Sequence, residues 1–182
     1  MLSTELDDLI EVHSDFPKKG ILFRDVLPVL QKPNVFKELI NIMSSDEIFG
    51  QAEAIIAVDA RGFLFASSIG IKLSKPVIVA RKPGKLPGEV ITKSYDLEYG
   101  KNSLSIQKEL ISKYKSFVIV DDLLATGGTL ECIYNIVSSM NKEISGVSVI
   151  IELKDSSGVV LSTTTQTRTN IDGFQGNCNG YP

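Results

Sequence analysis

The chain has 182 residues and a formal net charge of −3, with 43% hydrophobic and 23% charged residues. This length suits a single domain with a full hydrophobic core, and the slightly acidic balance argues against a general nucleic-acid-binding surface. The sequence contains no apolar run of the ~18 residues that a membrane helix needs, and its N-terminus has no basic segment before an apolar run. The two cysteines, Cys132 and Cys178, match neither a disulfide framework nor a metal-ligand spacing. We therefore expect reduced thiols in a cytoplasmic protein that binds neither nucleic acid nor membrane.

In the first part of the chain, apolar spacing and turn residues predict alternating helices and strands. The predicted elements are a helix over residues 4–12, a turn over 15–20 leading into an extended segment over 21–23, a helix over 35–43, a strand over 54–58, a helix over 63–73 and a strand over 76–80. Both strands are continuous apolar runs, which is typical of strands that are buried on both faces.

The second part begins with a long polar stretch over residues 81–101 that contains several Gly and Pro residues. Its flanks, at 90–92 and 104–106, alternate like the arms of an exposed hairpin. The elements predicted after it are a short helical turn over 107–112, a strand over 117–120, a helix over 130–140 and a strand over 147–153. Residues 156–182 are rich in Ser, Thr, Asn and Gly, which predicts a loop-rich C-terminal extension after a domain over residues 1–155.

Apolar strands that alternate with helices indicate an α/β fold, doubly wound, with a mostly parallel sheet flanked by helices. In such sheets, ligands bind beyond the carboxyl ends of the strands. Three polar segments begin where a predicted strand ends: residues 59–62, 81–85 and 121–129. We therefore expect these three segments to converge on one cleft.

The most informative segment is residues 118–129, in which an apolar run ends at Asp121 and Asp122 and a Thr/Gly-rich turn follows. Adjacent carboxylates can accept hydrogen bonds from vicinal hydroxyls, and a turn of small residues leaves backbone N–H groups free to surround a phosphate. Because a helix is predicted from Leu130 onward, the phosphate would also lie at a helix N-terminus. The segment therefore predicts a ribose-phosphate site. The alternative is an ordinary strand-to-helix turn in which Asp and Thr act as caps.

Four cations accompany the other two strand ends: Arg61, Arg81, Lys82 and Lys85. Guanidinium groups bind phosphate oxygens in a bidentate manner, and lysines act as mobile point charges. With the phosphate turn, they indicate a substrate with phosphate at two separated positions, such as a sugar with a 5-phosphate and a 1-diphosphate. The alternative is a solvated basic loop. A P-loop nucleotide site is disfavoured because the chain has no Gly-Lys-Ser/Thr triplet.

Four segments carry a resemblance to a known family. Residues 117–129 resemble the phosphoribosyl-diphosphate signature of type I phosphoribosyltransferases. Three further segments, 16–25, 59–65 and 81–88 together with 94–100, are similar to adenine phosphoribosyltransferases. The likeness covers about residues 5–153 and implies the type I phosphoribosyltransferase fold, with a small N-terminal hood and a mobile hairpin lid.

The resemblance implies transfer of a 5-phosphoribosyl group from 5-phosphoribosyl 1-diphosphate to N9 of adenine, giving AMP and pyrophosphate in purine salvage. Asp121 and Asp122 would contact the ribose hydroxyls, and the 5-phosphate would be bound by Ala125, Thr126, Gly127, Gly128 and Thr129. The diphosphate would be held by Arg61, Arg81, Lys82 and Lys85. Mg²⁺ would arrive with the diphosphate, since it favours oxygen ligands and retained waters, so no protein side chain is assigned to the metal.

The lid and the base site complete the residues that the resemblance implies. Glu98, with Arg61, is the candidate catalytic residue, and Glu98 would manage the purine ring proton from a lid that includes Ser94, Tyr95 and Tyr99. Closure of such a lid keeps water from a reactive sugar cation. Adenine would be recognised by Leu22, Phe23 and Arg24, with Leu153 on the other purine face.

The chain departs from the family pattern at two places and leaves two other functions open. Lys19 stands where the family commonly has proline, and Lys154 begins a segment that replaces a Leu-x-Gly-Arg-type sequence. The alternatives are a transferase for hypoxanthine, guanine or xanthine, and a non-catalytic phosphoribosyl-diphosphate sensor. A sensor would usually need an added DNA-binding module. By analogy with the family, we expect a symmetric homodimer.

Overall fold

The structure is a computed structural model that describes residues 2–97, 100–154 and 158–160. Glu98, Tyr99 and Cys178 lie outside the described residues, as does all of the C-terminal extension except residues 158–160. The chain forms two compact units, Met1–Ile42 and Met43–Pro182. Each unit is described by itself below.

The first unit contains two helices and a small hairpin. Its elements are α1 (Leu2–Leu9), β1 (Glu11–Ser14), β2 (Leu22–Asp25), a 3₁₀ helix (Leu27–Gln31) and α2 (Pro33–Met43). The helix predicted over residues 35–43 is confirmed. The helix predicted over residues 4–12 ends early, because the backbone of Glu11–Ser14 pairs with β2 instead.

The predicted turn over residues 15–20 connects the two strands of this hairpin. Asp15 has a φ of 59° and Gly20 a φ of 90°. The Gly20 amide donates a hydrogen bond of 2.6 Å to Oδ1 of Asp15, and the Phe16 amide donates one of 3.2 Å to the carbonyl of Ile21. The carboxylate thus closes the turn, in the way that Asp side chains commonly stabilise turns.

The second unit is built on a four-stranded parallel sheet in the order β4-β3-β7-β9. The elements of the unit, in chain order, are α3 (Glu47–Gln51), β3 (Ala54–Val58), α4 (Gly62–Leu73), β4 (Val77–Ala80), β5 (Val90–Leu97), β6 (Gly100–Gln107), α5 (Lys108–Ser112), β7 (Ser116–Val120), β8 (Leu123–Leu124), α6 (Gly128–Ser138), β9 (Glu143–Ser148), β10 (Ile151–Lys154) and β11 (Gly158–Val160). The predicted strands over 54–58, 76–80 and 117–120, the predicted helices over 63–73 and 130–140 and the short helical turn over 107–112 are confirmed, with small shifts of their ends. The predicted α/β class with a parallel sheet is therefore confirmed.

Helices cover both faces of this sheet. On one face, Gly146 of β9 lies so close to Ile48 of α3 that an added Cβ would be 2.8 Å from its Cγ2 atom, and Gly70 of α4 packs in the same way on Val77. On the other face, α6 and the β5–β6 hairpin pack in one apolar cluster with sheet residues such as Ile56 and Ile119. This two-sided burial explains why the strands are continuous apolar runs.

The hairpin predicted around residues 90–92 and 104–106 is confirmed and is longer than the sequence indicated. Strands β5 and β6 pair in antiparallel register from Val90 opposite Gln107 to Leu97 opposite Gly100. An antiparallel bridge between Arg81 and Ser105 attaches β6 to the edge of the parallel sheet beyond β4. The hairpin is thus an extension of the sheet, next to the carboxyl end of β4.

The single strand predicted over residues 147–153 is wrong, because the chain turns between β9 and β10. The amides of Ile150 and Ile151 both donate to the carbonyl of Asp122, at 3.1 and 3.0 Å. Strand β10 then pairs with β8 in parallel and with β11 in antiparallel register. Strand β11 lies at residues 158–160, within the predicted loop-rich extension. Within the described part of the chain, no helix has the length and apolar character that crossing a membrane requires.

Candidate active site

The carboxyl ends of β3 and β7 open into a cavity of about 260 Å³ that the hairpin borders. The cavity is lined by Val58, Asp59, Ala60, Arg61, Lys82, Tyr95, Asn102, Ser103, Leu104, Asp121, Asp122, Leu123 and Thr129. Each of the three polar segments that follow predicted strands contributes to this lining. The structure therefore brings them to one cleft, as a parallel sheet requires when its strands end at the same edge.

Asp121 is the first residue after β7, and both its backbone amide and its side chain form hydrogen bonds. Its amide donates a hydrogen bond of 3.1 Å to the carbonyl of Ser148. Its Oδ1 atom accepts one of 2.9 Å from the amide of Asp122. The first residue of α4, Gly62, packs directly on this strand end, so the carboxyl group lies against the N-terminus of that helix.

This confinement changes the proton affinity of the side chain. Burial, and after it the negative charge of Asp122, raise the pKa of the Asp121 carboxyl to about 8, and the nearby Arg61 guanidinium only partly opposes this rise. Two adjacent carboxylates with little solvent disfavour a double negative charge. At neutral pH the pair therefore holds a proton and offers both a donor and acceptors to a hydroxyl-bearing ligand.

Asp122 is 4% exposed and pairs with Arg61. The Nε atom of Arg61 lies 2.7 Å from Oδ2 of Asp122, yet this oxygen has no hydrogen-bond partner within the described residues. The contact is therefore an electrostatic pair rather than a directed hydrogen bond. Since a buried carboxylate needs charge compensation, the Arg61 guanidinium is what balances this buried oxygen, while Asp122 as a residue lines the cavity.

The cations that the sequence predicts divide into two groups. Arg61 and Lys82 line the cavity. Arg81 instead pairs through Nε with Oδ2 of Asp59 at 3.0 Å, and its guanidinium lies 5.7 Å from the centre of the Phe63 ring. Neither Arg81 nor Lys85 is among the lining residues, so their diphosphate contacts stay predictions.

The turn between β8 and α6 leads directly into the N-terminus of a helix. Gly127 is the N-cap of α6, with a φ of 81° and no side-chain capping hydrogen bond. The N-cap position itself is thus a glycine, whereas the alternative interpretation of an ordinary capped turn places an Asp or Thr side chain there. The first amides of α6 can serve an anion instead. Of the predicted phosphate residues, Thr129 lines the cavity, while Ala125, Thr126, Gly127 and Gly128 form the turn that leads to it.

The hairpin contacts this turn through Tyr95, whose hydroxyl lies 3.2 Å from Oγ1 of Thr129. The Tyr95 ring lies against Gly128, where an added Cβ would be 2.9 Å from its Cδ2 atom. Two residues earlier, the carbonyl of Lys93 accepts a hydrogen bond of 3.1 Å from the Cys132 thiol. Burial raises the pKa of that thiol, which keeps it protonated as a donor. Ser94 pairs with Ser103 at 2.9 Å.

Sequence reasoning placed Asp59 in a segment expected at the cleft but gave it no role, and it did not identify Asn102 and Ser103, which also line the cavity. Asp59 directly follows β3, as Asp121 follows β7, so its position at a strand end was a usable signal. Asn102 and Ser103 lie on β6, and only the pairing of the two hairpin strands brings them to the site. Glu98 and Tyr99, two predicted residues of the lid, lie outside the described residues.

The residues predicted to bind the base lie on strands of different units. Leu22, Phe23 and Arg24 belong to β2 of the first unit, and Leu153 belongs to β10 of the second. Leu22 is 52% exposed, and the Phe23 ring makes an edge contact with Phe16 at a centroid distance of 5.0 Å. The hairpin of the first unit thus presents apolar and aromatic surface. Among the described residues, no group of three or more His, Cys, Asp or Glu side chains is placed to hold a metal ion.

Comparison with known proteins gives a consistent result. Residues 29–182 match the family described as the phosphoribosyl transferase domain. Adenine phosphoribosyltransferase of Prochlorococcus marinus strain MIT 9211 is 61% identical over 153 residues, which is 84% of this chain and 89% of that protein. The enzyme of the same name from Mycoplasmopsis agalactiae is 43% identical over 154 residues, which is 85% of this chain and 89% of that protein.

Solved structures agree with these sequence matches. Adenine phosphoribosyltransferase from Thermoanaerobacter pseudethanolicus superposes with a TM-score of 0.78 at 37% identity, covering 84% of this chain and 88% of that one. The enzyme from Saccharomyces cerevisiae, solved in complex with an imino-altritol bisphosphate and adenine, gives a TM-score of 0.74 at 31% identity, covering 84% and 89% of the two chains.

Proposed function

Because the chain belongs to the phosphoribosyl transferase family, we propose that it acts as an adenine phosphoribosyltransferase. It transfers the 5-phosphoribosyl group of 5-phosphoribosyl 1-diphosphate to N9 of adenine, and AMP and pyrophosphate leave as the products of a purine-salvage reaction. The observation that carries this proposal is the cavity that combines the Asp121–Asp122 pair, the turn before α6 and the cations Arg61 and Lys82. The names of the relatives support adenine as the base.

The carboxyl pair holds the ribose ring. Asp122 lines the cavity, and its carboxylate accepts a hydrogen bond from one ribose hydroxyl. Asp121 takes the adjacent hydroxyl, and its proton lets it act as a donor or an acceptor. Vicinal hydroxyls match two adjacent carboxyl groups, because each hydroxyl then finds its own partner.

The 5-phosphate binds at the N-terminus of α6. The N-cap of this helix is Gly127, and the first amides and the dipole of a helix favour an anion at this end. The Thr129 hydroxyl adds a side-chain donor from inside the cavity. The left-handed φ of Gly127 is a conformation that glycine adopts without steric cost.

The diphosphate binds at the other side of the cavity, near Arg61 and Lys82, with Arg81 and Lys85 nearby in sequence. The carboxylates of the cavity and the diphosphate oxygens make an oxygen-rich environment, which suits Mg²⁺. When bound, Mg²⁺ neutralises part of the diphosphate charge. Arg61 and Lys82 stabilise the charge that grows on the departing diphosphate as the glycosidic bond breaks.

The remaining steps concern the base and water. Glu98 accepts the purine ring proton as N9 attacks the anomeric carbon, a task in which general-base catalysis contributes roughly 10²–10⁴-fold. The hairpin, with Ser94, Tyr95 and Tyr99, excludes water from the oxocarbenium-like ribose. Leu22, Phe23 and Arg24 recognise adenine, and Leu153 packs on the opposite purine face.

We further propose a homodimer that works in the cytoplasm. The outer face of α4 supports an association surface, because Leu64 is 40% and Ile71 83% exposed and the two residues lie on the same side of the helix. The free thiol of Cys132 fits a reducing compartment. Sedimentation equilibrium of the purified chain distinguishes a dimer from a monomer.

The decisive experiment incubates the purified chain with 5-phosphoribosyl 1-diphosphate, Mg²⁺ and each purine base in turn, and measures the nucleotide formed. We expect AMP from adenine and far less product from hypoxanthine, guanine or xanthine. A chain in which Asp121 and Asp122 are both replaced by Asn is the matched control, and it should bind the diphosphate substrate weakly. Preferred formation of another nucleotide would reassign the base, and no nucleotide from any base would refute the transferase function.

A further inference from the structure

We propose that Tyr95 is a positioning residue for 5-phosphate binding, which it assists by orienting the hydroxyl of Thr129. The inference rests on the proposed function, in which the turn before α6 binds the 5-phosphate. It adds a residue from the hairpin to a phosphate site that is otherwise built from α6 and its preceding turn. Tyr95 acts through Thr129 and touches no reacting atom.

The geometry places the two hydroxyls at the same wall of the cavity. The Tyr95 Oη atom lies 3.2 Å from Oγ1 of Thr129, and both residues line the cavity. Tyr95 belongs to β5 and Thr129 to α6, so the contact joins two elements that are distant in sequence. A hydroxyl pair at this distance forms one hydrogen bond, in which either oxygen can be the donor.

A bound phosphate decides which hydroxyl donates. Phosphate oxygens are acceptors, and a threonine hydroxyl has one proton and two lone pairs. When Thr129 donates its proton to the phosphate, it can only accept from Tyr95, so the Tyr95 hydroxyl must be the donor of that pair. The Tyr95 hydroxyl then donates to Oγ1 of Thr129, and the Thr129 hydroxyl donates to the phosphate. Two hydrogen bonds that run in the same direction strengthen each other.

Two further contacts fix the Tyr95 ring relative to the helix that carries Thr129. The ring packs on Gly128, where a Cβ would be 2.9 Å from Cδ2 and 3.3 Å from Cε2, so only glycine leaves room for it. The Cys132 thiol donates to the carbonyl of Lys93 at 3.1 Å. Since residues 128 and 132 are one turn apart on α6, β5 is attached to the helix at two successive turns. The Tyr95 hydroxyl therefore keeps its position without help from the hairpin tip.

The test is a double-mutant cycle in the full chain: Tyr95→Phe, Thr129→Val and both together. The readout is the dissociation constant of 5-phosphoribosyl 1-diphosphate with Mg²⁺ and no base, measured by calorimetry, so that no reaction occurs. Loss of one such hydrogen bond should weaken binding by roughly three- to tenfold for Tyr95→Phe. Because Tyr95 acts through Thr129, the double variant should bind no more weakly than Thr129→Val alone.

Each outcome has a defined meaning. Tyr114→Phe is the matched control, because it removes the same atom from a ring that packs on Phe117 outside the cavity lining, and its binding should equal that of the parent chain. If Thr129→Val weakens binding while Tyr95→Phe has no effect, or if the two effects multiply in the double variant, the positioning role is refuted and the phosphate site stands. If Thr129→Val binds as tightly as the parent chain, the Thr129 hydroxyl does not contact the 5-phosphate, and the positioning role of Tyr95 is refuted with it.

Discussion

Gly62 lies against Asp121 with no room for a side chain between them. An added Cβ at Gly62 would be 3.1 Å from Oδ1 of Asp121 and 2.7 Å from the carbonyl oxygen of Val120. The first residue of α4 therefore packs closely against the backbone at the end of β7. This contact sets where the first carboxyl group of the cavity lies.

Replacement of Gly62 by Ala should destabilise the chain and weaken substrate binding. The new methyl group would displace the backbone at Val120, and overpacking of this kind typically costs about 1–3 kcal/mol. Urea denaturation and the KM for 5-phosphoribosyl 1-diphosphate measure the two effects. Gly50→Ala is the control, because a Cβ there meets nothing within 4 Å and alanine favours helix by up to ~1 kcal/mol. If Gly62→Ala and Gly50→Ala changed the free energy of unfolding equally, the close packing at Gly62 would have no energetic consequence and the prediction would be wrong.

The raised pKa of Asp121 predicts a pH-dependent stability difference. In the folded chain the pKa is about 8, whereas an unfolded Asp has a pKa of about 3.9. Between these values the folded chain holds a proton that the unfolded chain has lost, so this residue lowers the stability as the pH rises. Asp121→Asn does not ionise and avoids this loss.

We therefore expect the free energy of unfolding of Asp121→Asn to rise relative to that of the parent chain between about pH 5 and about pH 8.5. Urea denaturation of both proteins across this range gives the difference, and ionisations that the two proteins share cancel. Two stability curves that stay parallel would show that the carboxyl group titrates normally.

Lys82 supplies a positive charge to the cavity wall, so its removal should reduce affinity for the diphosphate substrate. We expect Lys82→Ala to raise the KM for 5-phosphoribosyl 1-diphosphate several-fold, since charge-assisted contacts contribute roughly 1.5–3 kcal/mol when fully formed and this lysine is partly solvated. Lys72→Ala, on α4 and outside the cavity lining, is the control for loss of charge. A similar effect of both variants would indicate a general electrostatic role instead.

Glu98→Gln tests the proposed general base. The amide keeps the size of the side chain but cannot accept the purine proton, so kcat should fall by roughly 10²–10⁴. Affinity for 5-phosphoribosyl 1-diphosphate should stay nearly unchanged, and calorimetry without base measures it. Unchanged turnover of this variant would remove Glu98 from the chemical step.

Phe23→Leu tests the proposed base site in the first unit. Leucine keeps apolar volume but removes the ring, and aromatic stacking on a base is worth about 1–3 kcal/mol. We expect a higher KM for adenine and an unchanged KM for 5-phosphoribosyl 1-diphosphate in steady-state assays. An equal rise of both values would point to a loss of folding at the β1–β2 hairpin, where Phe23 also contacts Phe16.

The sequence by itself determined the fold class and the position of the cleft. The apolar runs over 54–58 and 117–120 identify buried parallel strands through local composition alone, and the rule that such strands end at one edge brings Arg61 and Asp122 together. The hairpin was also visible, because alternation of side chains is a local property of a strand. The turn before α6 could be identified because each of its residues lies next to the others in the chain.

Only the tertiary structure decided what each of these side chains contacts. Arg81 pairs with Asp59 instead of lining the cavity, and Tyr95 meets Thr129 across two elements. The raised pKa of Asp121 depends on its burial and its neighbours. These relationships arise from packing between segments far apart in the chain, and residue spacing carries no information about them. Local patterns therefore predicted where the site lies. Long-range packing decided which side chains pair with each other and which carboxyl group holds a proton.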